Sequence, residues 1–307
     1  MNYTIRIATR ESRLALWQAE HVASALRAAY SDVEVSLVPM TTRGDQVLDR
    51  TLAQEGGKGL FIKELEVAMN EGRAEIAVHS MKDVPSVLPE GMVINCVLQR
   101  ADPRDAFIAN TYSSFASLPQ GARVGTSSLR RQSQLLALRP DLLIGPVRGN
   151  VETRLRKLDE GEFDAIVLAS AGLERLGLSG RITEYLEPEE CVPAVGQGVI
   201  GIECRSNDYV TRAFCAVLNH ADTETCVNAE RAFAAKLEGG CQSPIAAYAV
   251  LHGDELQINA VIAATDGSHV MRDHIAGSRN EGVELGTSLA ERMLEAGAGK
   301  LLNITRE

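Results

Sequence analysis

The sequence is poor in aromatic residues and has no long run of apolar ones. Aromatic residues make up 4% of the 307 residues and hydrophobic residues 45%, so the cores must be built from aliphatic side chains and alanine. No stretch approaches the roughly 18 apolar residues that a membrane-spanning helix needs. The first residues also lack the apolar segment of a signal peptide. The sequence therefore predicts a soluble, cytoplasmic protein without a membrane partner.

An excess of positive charge is absent too. Lysine and arginine number 31 against 41 aspartate and glutamate residues, which gives a net charge of −10. A general nucleic-acid-binding protein carries an overall basic surface, so no nucleic-acid partner is expected. A local basic cleft remains compatible with this balance, and the positions of the arginines therefore matter more than their number.

Metal-ligand and disulfide patterns are missing as well. The six cysteines form no CxxC pair and the six histidines no HxH or HxxxH pair, so we predict neither a disulfide framework nor a metal site. Cys241 stands apart, because it follows two glycines and precedes Pro244. Two interpretations stay open: a helix end that happens to be followed by cysteine, or an exposed thiol that carries a large group. A cysteine hydrolase is disfavoured, since no histidine is placed to act as its base.

Strand-like runs alternate with amphipathic helices through the first two-thirds of the chain. This alternation is typical of an α/β fold with mostly parallel sheets. It restarts after "QRADPRDAF" (99–107), which predicts a hinge between two α/β lobes that close around a ligand. Later, Gly253-Asp254 and Asp266-Gly267 separate β-type runs and predict a small antiparallel sheet. We predict lobe 1 at 1–99 and 197–218, lobe 2 at 100–196, and a C-terminal α+β domain at 219–307.

The individual elements follow from the hydrophobic period and the turn residues. The predicted strands are 3–9, 33–40, 74–80, 122–126, 141–147 and 164–170, and the predicted helices are 12–30, 61–72, 127–139, 151–161, 224–239 and 281–297.

Arginines follow predicted strands or open predicted helices, where ligands of α/β sheets bind. Arg130 and Arg131 lie in the first turn of a helix that Ser127 or Ser128 can cap, and such a helix start attracts anions. Ordinary solvated surface arginines are the alternative. The repeated placement favours a polyanion site between the lobes, for carboxylates or phosphates. The other arginines with this placement are Arg10, Arg148, Arg154 and Arg175.

Two further segments are candidates for function. In "AVHSMKDVP" (77–85) an apolar strand ends at polar residues, so Asp83 is either a functional carboxylate or an ion-paired turn residue. The glycines of "GGKGLFIKELE" (56–66) do not form a phosphate-binding loop, because Lys58 is followed by Gly59 instead of serine or threonine. Residues 41–59 lack periodicity and predict a long polar loop of the kind that forms lids.

Taken together, these segments resemble one known family. The sequences "RIATRESRLALWQ", "GGKGLFIKELE", "AVHSMKDVP", "QRADPRDAF", "VGTSSLRRQSQL", "VRGNVETRL", "VPAVGQGVIGIECR" and "LEGGCQSPIA" closely resemble segments of porphobilinogen deaminases, also called hydroxymethylbilane synthases. The resemblance runs from about Arg6 to Ala246. Arg13 stands where bacterial members often have proline, and Ser243 where valine is common and makes the loop around Cys241 slightly more polar.

The resemblance implies a fold and a reaction. Members have two periplasmic-binding-protein-like α/β lobes and a C-terminal α+β domain, and resemble monomers. They join four porphobilinogen molecules head to tail on a covalent dipyrromethane primer, releasing ammonia and hydroxymethylbilane for tetrapyrrole and haem biosynthesis. Cys241 would hold the dipyrromethane by a thioether. Asp83 would stabilise the cationic azafulvene that forms when ammonia leaves.

The resemblance also implies a set of binding residues, because each pyrrole brings an acetate and a propionate. The rival function is a two-lobed anion-binding protein without catalysis, which leaves Cys241 and the third domain without a use. The implied cofactor-binding residues are Lys82, Asp83, Ser128, Arg130, Arg131 and Gly172, and the implied substrate-binding residues are Arg10, Ser12, Lys58, Ser80, Thr126, Ser127, Arg148, Arg154, Arg175 and Gln197.

Overall fold

The computed structural model describes residues 3–46, 59, 61–238 and 243–302. Short 3-10 helices lie at Met81–Asp83, Ser179–Arg181, Arg279–Glu281 and Ala298–Lys300. The strands are β1 (Tyr3–Arg10), β2 (Val33–Met40), β3 (Ile76–Ser80), β4 (Met92–Val97), β5 (Asp105–Ile108), β6 (Arg123–Gly125), β7 (Leu143–Gly145), β8 (Ala165–Ala169), β9 (Glu184–Leu186), β10 (Ile200–Arg205), β11 (Ile245–His252), β12 (Glu255–Ala263) and β13 (Val270–Ser278). The helices are α1 (Arg13–Ala29), α2 (Arg43–Gln46), α3 (Lys63–Asn70), α4 (Leu129–Leu138), α5 (Val151–Asp159), α6 (Ser170–Arg175), α7 (Tyr209–Ala216), α8 (Ala221–Lys236) and α9 (Gly282–Glu295).

The first of two compact units comprises Met1–Ala101 and Val199–Glu224. Its five-stranded sheet has the order β2-β1-β3-β10-β4, in which β1 runs parallel to β2 and β3, and β10 runs antiparallel to β3 and β4. Helix α1 packs the apolar side chains of Val22 and Leu26 against Ile5 and Ile7 of β1. The carboxyl end of β3 leads directly into the 3-10 turn that carries Asp83.

The second unit comprises Asp102–Gly198 and Thr225–Glu307. Its larger sheet has the order β7-β6-β8-β5-β9, with β6 parallel to β7 and β8, and β5 antiparallel to β8 and β9. Phe107 of β5 and Leu135 of α4 are fully buried in the core beside this sheet. The start of α4 therefore lies next to the strands that form the centre of the sheet.

A small antiparallel sheet, β11-β12-β13, belongs to the same unit. Helices α8 and α9 share one core with it, in which Phe233, Ile258 and Leu289 are fully buried. The turns at Gly253 and Gly267 have positive φ angles of 65° and 72°, which glycine adopts without steric cost. The predicted antiparallel sheet and its two glycine turns are confirmed.

The predicted fold class is confirmed, but the sheets are less parallel than expected. The sequence analysis missed β4, β5, β9 and β10, and the last of these introduces antiparallel pairing into the first sheet. The three-part domain division stays a prediction, because 102–198 and 225–307 fall in one unit. Among the described residues, no helix is both long and apolar enough to cross a membrane.

Candidate functional site

Asp83 ends a short turn that two features fix in place. The Met81 amide donates a hydrogen bond to the Val199 carbonyl (2.9 Å), and the Val84 amide donates to the Met81 carbonyl (3.1 Å). Met81 also packs against Gly201 of β10, where an added Cβ would clash with the methionine sulfur, so a larger residue there would force Met81 to move. Asp83 is partly buried, and no partner of its carboxylate is recorded among the described residues. The backbone that carries Asp83 is thus fixed, while its role as a functional carboxylate stays a prediction.

Two serines at the start of α1 and the end of β3 form hydrogen bonds with residues of α1. The Ser80 hydroxyl accepts a hydrogen bond from Gln18 (2.9 Å), and Ser12 caps α1 by accepting from the Ala15 amide (3.3 Å). Lys82 follows Ser80 by two residues and is partly buried. Ser12 and Ser80 thus have structural partners in the first unit.

Arg10 ends β1 and is paired with Asp45. Its Nε donates to Asp45 Oδ2 at 3.0 Å, Nη2 contacts the other carboxylate oxygen, and the guanidinium lies 4.3 Å from the centre of the Phe61 ring. Burial alone would raise the pKa of Asp45, but the hydrogen bond and the charge of Arg10 outweigh it and hold the pKa below its usual range. The Arg10 charge is thus largely balanced within the protein.

Strand β3, which precedes Asp83 in the chain, contributes His79 to a buried cluster of titratable residues that the sequence analysis did not identify. His79 Nε2 lies 2.7 Å from Glu203 Oε2, and both side chains are nearly inaccessible to solvent. Glu66 of α3 is also buried, and its pKa rises to about 7, first because of burial and second because of the Glu203 charge. The core of this unit therefore holds an ionisable group that titrates near neutral pH.

In the second unit, one carboxylate holds two arginines. Asp105 is fully buried at the start of β5, and its Oδ1 accepts from Arg131 Nη2 at 2.7 Å and Nε at 3.1 Å. Its Oδ2 lies 2.8 Å from Arg130 Nη1. Burial opposes ionisation, but the two guanidiniums outweigh it and hold the pKa of Asp105 far below its usual range.

This cluster keeps a positive charge despite the pairing. Arg130 and Arg131 are only 4% and 6% exposed, so they are not solvated surface arginines. A ligand could contact only the small exposed part of each side chain. Two guanidiniums share the single negative charge of Asp105, and Arg130 Nε is buried without a recorded partner in the described part of the chain. A nearby carboxylate ligand would complete the charge balance.

Helix α4 begins as an anion site would. Ser128 is its N-cap and accepts from the Arg131 amide at 3.4 Å, while Thr126 accepts from the Ser128 amide at 3.2 Å. The exposed Ser127 donates its hydroxyl hydrogen to the Val147 carbonyl at 2.9 Å. Of the two serines that the sequence left open, Ser128 is thus the cap.

The remaining predicted arginines lie at the ends of β7 and α6. Arg148 is partly buried, and no ion pair of it is recorded within the described ranges. Arg154 donates to the Gly149 carbonyl (2.8 Å), and Arg175 donates to the Gly198 carbonyl (2.7 Å). Burial lowers the pKa of Arg175 to about 10, which leaves it charged at neutral pH. The predicted Gly172 is buried inside α6.

The turn before β10 connects several of these groups. Gly196 and Gly198 have φ angles of 69° and 83°, a region that glycine adopts without strain, and Gln197 between them is fully buried. Gln197 Nε2 donates to Asp105 Oδ1 at 2.9 Å and to the Pro103 carbonyl at 2.6 Å. Gln197, predicted to bind substrate, therefore contacts the carboxylate that holds the arginines.

Two predicted residues, Lys58 and Cys241, lie outside the described residues. The other five cysteines are free and buried. No cluster of three or more histidine, cysteine, aspartate or glutamate side chains suited to a metal ion occurs in the part of the chain that the structure describes.

The described donor set fits an acidic dipyrrole. A group with acetate and propionate side chains needs cations and hydroxyls, which the Asp105 cluster and the start of α4 provide. In the first unit, Asp83 is a carboxylate of the kind that pyrrole N–H groups need, and it has no recorded partner among the described residues. Sequence reasoning missed Asp105, although it lies within the quoted "ADPRD" motif, because nothing in the local pattern distinguishes a buried counter-ion from a turn residue.

The fold is that of an α/β protein with arginines and one unpaired carboxylate, among the described residues, at the ends of its strands. Models of two protein domains match the chain: "Porphobilinogen deaminase, dipyromethane cofactor binding domain" over residues 5–213, and "Porphobilinogen deaminase, C-terminal domain" over residues 224–295. The chain belongs to the porphobilinogen deaminase family. It is thus a hydroxymethylbilane synthase with dipyrromethane as its cofactor, a transferase of tetrapyrrole biosynthesis that acts on a small molecule.

Solved structures of binding proteins are also similar in part. The methionine-binding protein MetQ has 14% identity and a TM-score of 0.44, over 70% of this chain and 89% of its own. The periplasmic aliphatic sulphonate binding protein SsuA from Escherichia coli has 16% identity and a TM-score of 0.43, over 73% of this chain and 68% of its own. With TM-scores below 0.5, these similarities carry no conclusion about the ligand or activity of this chain.

Proposed function

We propose that this chain condenses four porphobilinogen molecules head to tail and that Asp83 is its catalytic carboxylate. The observation that carries the assignment is the partly buried Asp83 carboxylate on a turn with a fixed backbone, for which no protein partner is recorded among the described residues. When ammonia leaves the aminomethyl group of porphobilinogen, positive charge develops on the pyrrole. A carboxylate held at the pyrrole N–H stabilises that charge and orients the ring.

The arginines bind the acetate and propionate groups of the growing chain. Arg148 is the best candidate for direct contact, because it is partly buried and no ion pair is recorded for it in the described part of the chain. Arg130 and Arg131 act as a preformed positive cluster whose net charge Asp105 only halves. The Ser128 hydroxyl and the amides in the first turn of α4 add hydrogen-bond donors, and the Ser127 hydroxyl does so by giving up its bond to the Val147 carbonyl. Arg154 and Arg175 contribute charge from positions fixed by backbone carbonyls, whereas the charge of Arg10 is largely balanced by Asp45.

Cys241 holds the dipyrromethane by a thioether in this proposal. When bound, that group would supply the nucleophilic pyrrole carbon to which the first substrate unit is added. A plain anion-binding protein would have no use for a cysteine between α8 and β11, which argues against that alternative.

Intact-mass measurement tests this function. The purified chain should be heavier than its sequence by one dipyrromethane, and brief incubation with porphobilinogen should add a ladder of further pyrrole units. Cys241→Ser should fold yet carry no added mass, because an alcohol is a far poorer nucleophile than a thiolate. The matched control is Cys226→Ser on α8, which should stay loaded. A wild-type chain with the mass of its bare sequence, both before and after incubation with porphobilinogen, would contradict the proposal.

We also propose that the protein is a cytoplasmic monomer. The five described cysteines are all free and buried, which suits a reducing compartment. Light scattering at micromolar concentration tests the oligomeric state, and a mass of 33.1 kDa is expected.

A further inference from the structure

Glu230 of α8 is a fully buried carboxylate that connects two separate segments. Its Oε2 accepts a hydrogen bond from the Gly196 amide at 2.7 Å. Its Oε1 accepts from the Ala249 amide of β11 at 2.9 Å. One side chain thus ties the turn before β10, helix α8 and strand β11 together.

The turn that Glu230 holds contacts Arg175 directly and is linked to Arg130 and Arg131 through Asp105. Gln197 of this turn donates to Asp105, and Asp105 binds Arg130 and Arg131. The Gly198 carbonyl at the end of the turn accepts from Arg175 Nη2 at 2.7 Å. Every link in this series is a short hydrogen bond or ion pair in a largely buried environment, so a displacement of the turn displaces the arginines.

The other two elements held by Glu230 lie on either side of Cys241 in the chain. Helix α8 ends at Lys236, and β11 begins at Ile245. The segment that carries the attachment cysteine therefore starts and finishes on elements that Glu230 binds. Glu230 thereby holds α8 and β11, which flank that segment, at a set position relative to Gly196 and the turn that contacts the arginines.

We propose that Glu230 is a positioning residue for catalysis: it aligns the elements flanking Cys241 with the turn that holds Arg130, Arg131 and Arg175. This inference rests on the proposed function of those arginines and of Cys241. Holding both segments requires a carboxylate, because the Gly196 and Ala249 amides each donate to a different oxygen of Glu230. A glutamine offers one carbonyl oxygen and one NH₂ group, so it can accept from Gly196 or from Ala249 but not from both.

The variant Glu230→Gln tests the proposal without changing side-chain size. Its kcat should fall about tenfold or more, since small misplacements of reacting groups are costly, whereas KM for porphobilinogen should change by less than about threefold. Amide hydrogen exchange should accelerate in peptides containing Gly196 or Ala249, in both the loaded protein and the cofactor-free chain. The exchange measurement does not depend on activity.

The control is Leu289→Ala on α9, which opens a cavity in the core shared with α8 but touches neither hydrogen bond. It should lower Tm at least as much as Glu230→Gln while kcat stays within about twofold. If Leu289→Ala lowers kcat equally, or if Glu230→Gln keeps the parental kcat and exchange rates, the positioning role is wrong. Failure of the proposed function is seen separately, as a wild-type chain without dipyrromethane by mass.

Discussion

Replacing Asp105 by asparagine should remove the charge that holds Arg130 and Arg131. The carboxylate is fully buried and binds one guanidinium through each oxygen, at 2.7 and 2.8 Å. Asparagine has nearly the same size and keeps one acceptor, but its NH₂ group must face a guanidinium. The variant therefore leaves two buried cations without a counter-ion.

The expected magnitude follows from this geometry. Removing one partner of a buried ion pair costs about 3–5 kcal/mol, because the remaining charge stays desolvated. Each kcal/mol lowers Tm by about 2–4 °C in a protein of this size, so Tm should fall by about 6–20 °C. Differential scanning calorimetry and urea unfolding followed by circular dichroism measure the change.

Asp141→Asn is the matched control. Asp141 belongs to the same unit and binds Arg139 at 2.7 Å, but both side chains are solvent-accessible. Exposed pairs are screened by water, so this substitution should change the unfolding free energy far less. If the two variants are equally stable, the buried cluster does not depend on Asp105, and the positions of Arg130 and Arg131 need another explanation.

The pH dependence provides a second check on Asp105. Its pKa is lowered in the folded state from an ordinary value of 3.8, so its stabilising contribution is present above about pH 4 and is lost as the pH falls further. The stability difference between the wild type and Asp105→Asn should therefore be constant from pH 5 to pH 8 and shrink in stronger acid. Adding Arg131→Leu to Asp105→Asn should restore part of the lost stability, because it removes one unpaired cation.

The remaining predictions concern two carboxylates of the first unit. Asp83→Asn should retain dipyrromethane but lose at least about a hundredfold in turnover at saturating porphobilinogen. Asp83→Glu keeps the charge and should retain more activity. An asparagine variant that is as active as the glutamate variant would contradict the catalytic role. Glu66 has a folded pKa of about 7 against 4.5, so its contribution to stability is full below pH 4.5 and is lost as the pH rises through 7. Glu66→Gln stays neutral at every pH. Between pH 4 and pH 8 the free energy of unfolding of this variant should therefore rise relative to that of the wild type by on the order of 1–3 kcal/mol. If the difference between the two free energies does not change with pH, the prediction is wrong.

Local patterns in the sequence were sufficient to predict most helices and strands and the residues at which helices begin. The predicted strand 33–40 coincides with β2, and the predicted helix 12–30 exceeds α1 by one residue at each end. Ser128, one of the two expected caps of α4, accepts from the Arg131 amide at 3.4 Å. These features depend on residues close in sequence, whose spacing alone determines the hydrophobic face and the cap.

The missed features depend on contacts between distant parts of the chain. Asp105 and Gln197 are 92 residues apart, and His79 and Glu203 are 124 apart. Strand β10 joins the first sheet only after the chain has completed the larger sheet of the second unit. No local period or turn residue encodes such pairings, so the sequence indicated which arginines cluster at strand ends but not which carboxylate holds them.

The ratio of guanidiniums to carboxylates decides whether a paired arginine still attracts an anion. Arg10 and Asp45 pair one to one, so their combined field at a distance is weak. Arg130 and Arg131 share Asp105 and retain one positive charge in a buried environment, where the low dielectric makes that charge act more strongly. A protein with a net charge of −10 can thus bind an acidic product if its unbalanced cations are concentrated in a few buried clusters. In the proposed function, the buried Asp105 carboxylate thus holds the arginine pair and still leaves one positive charge for an acidic substrate, which a second aspartate would cancel.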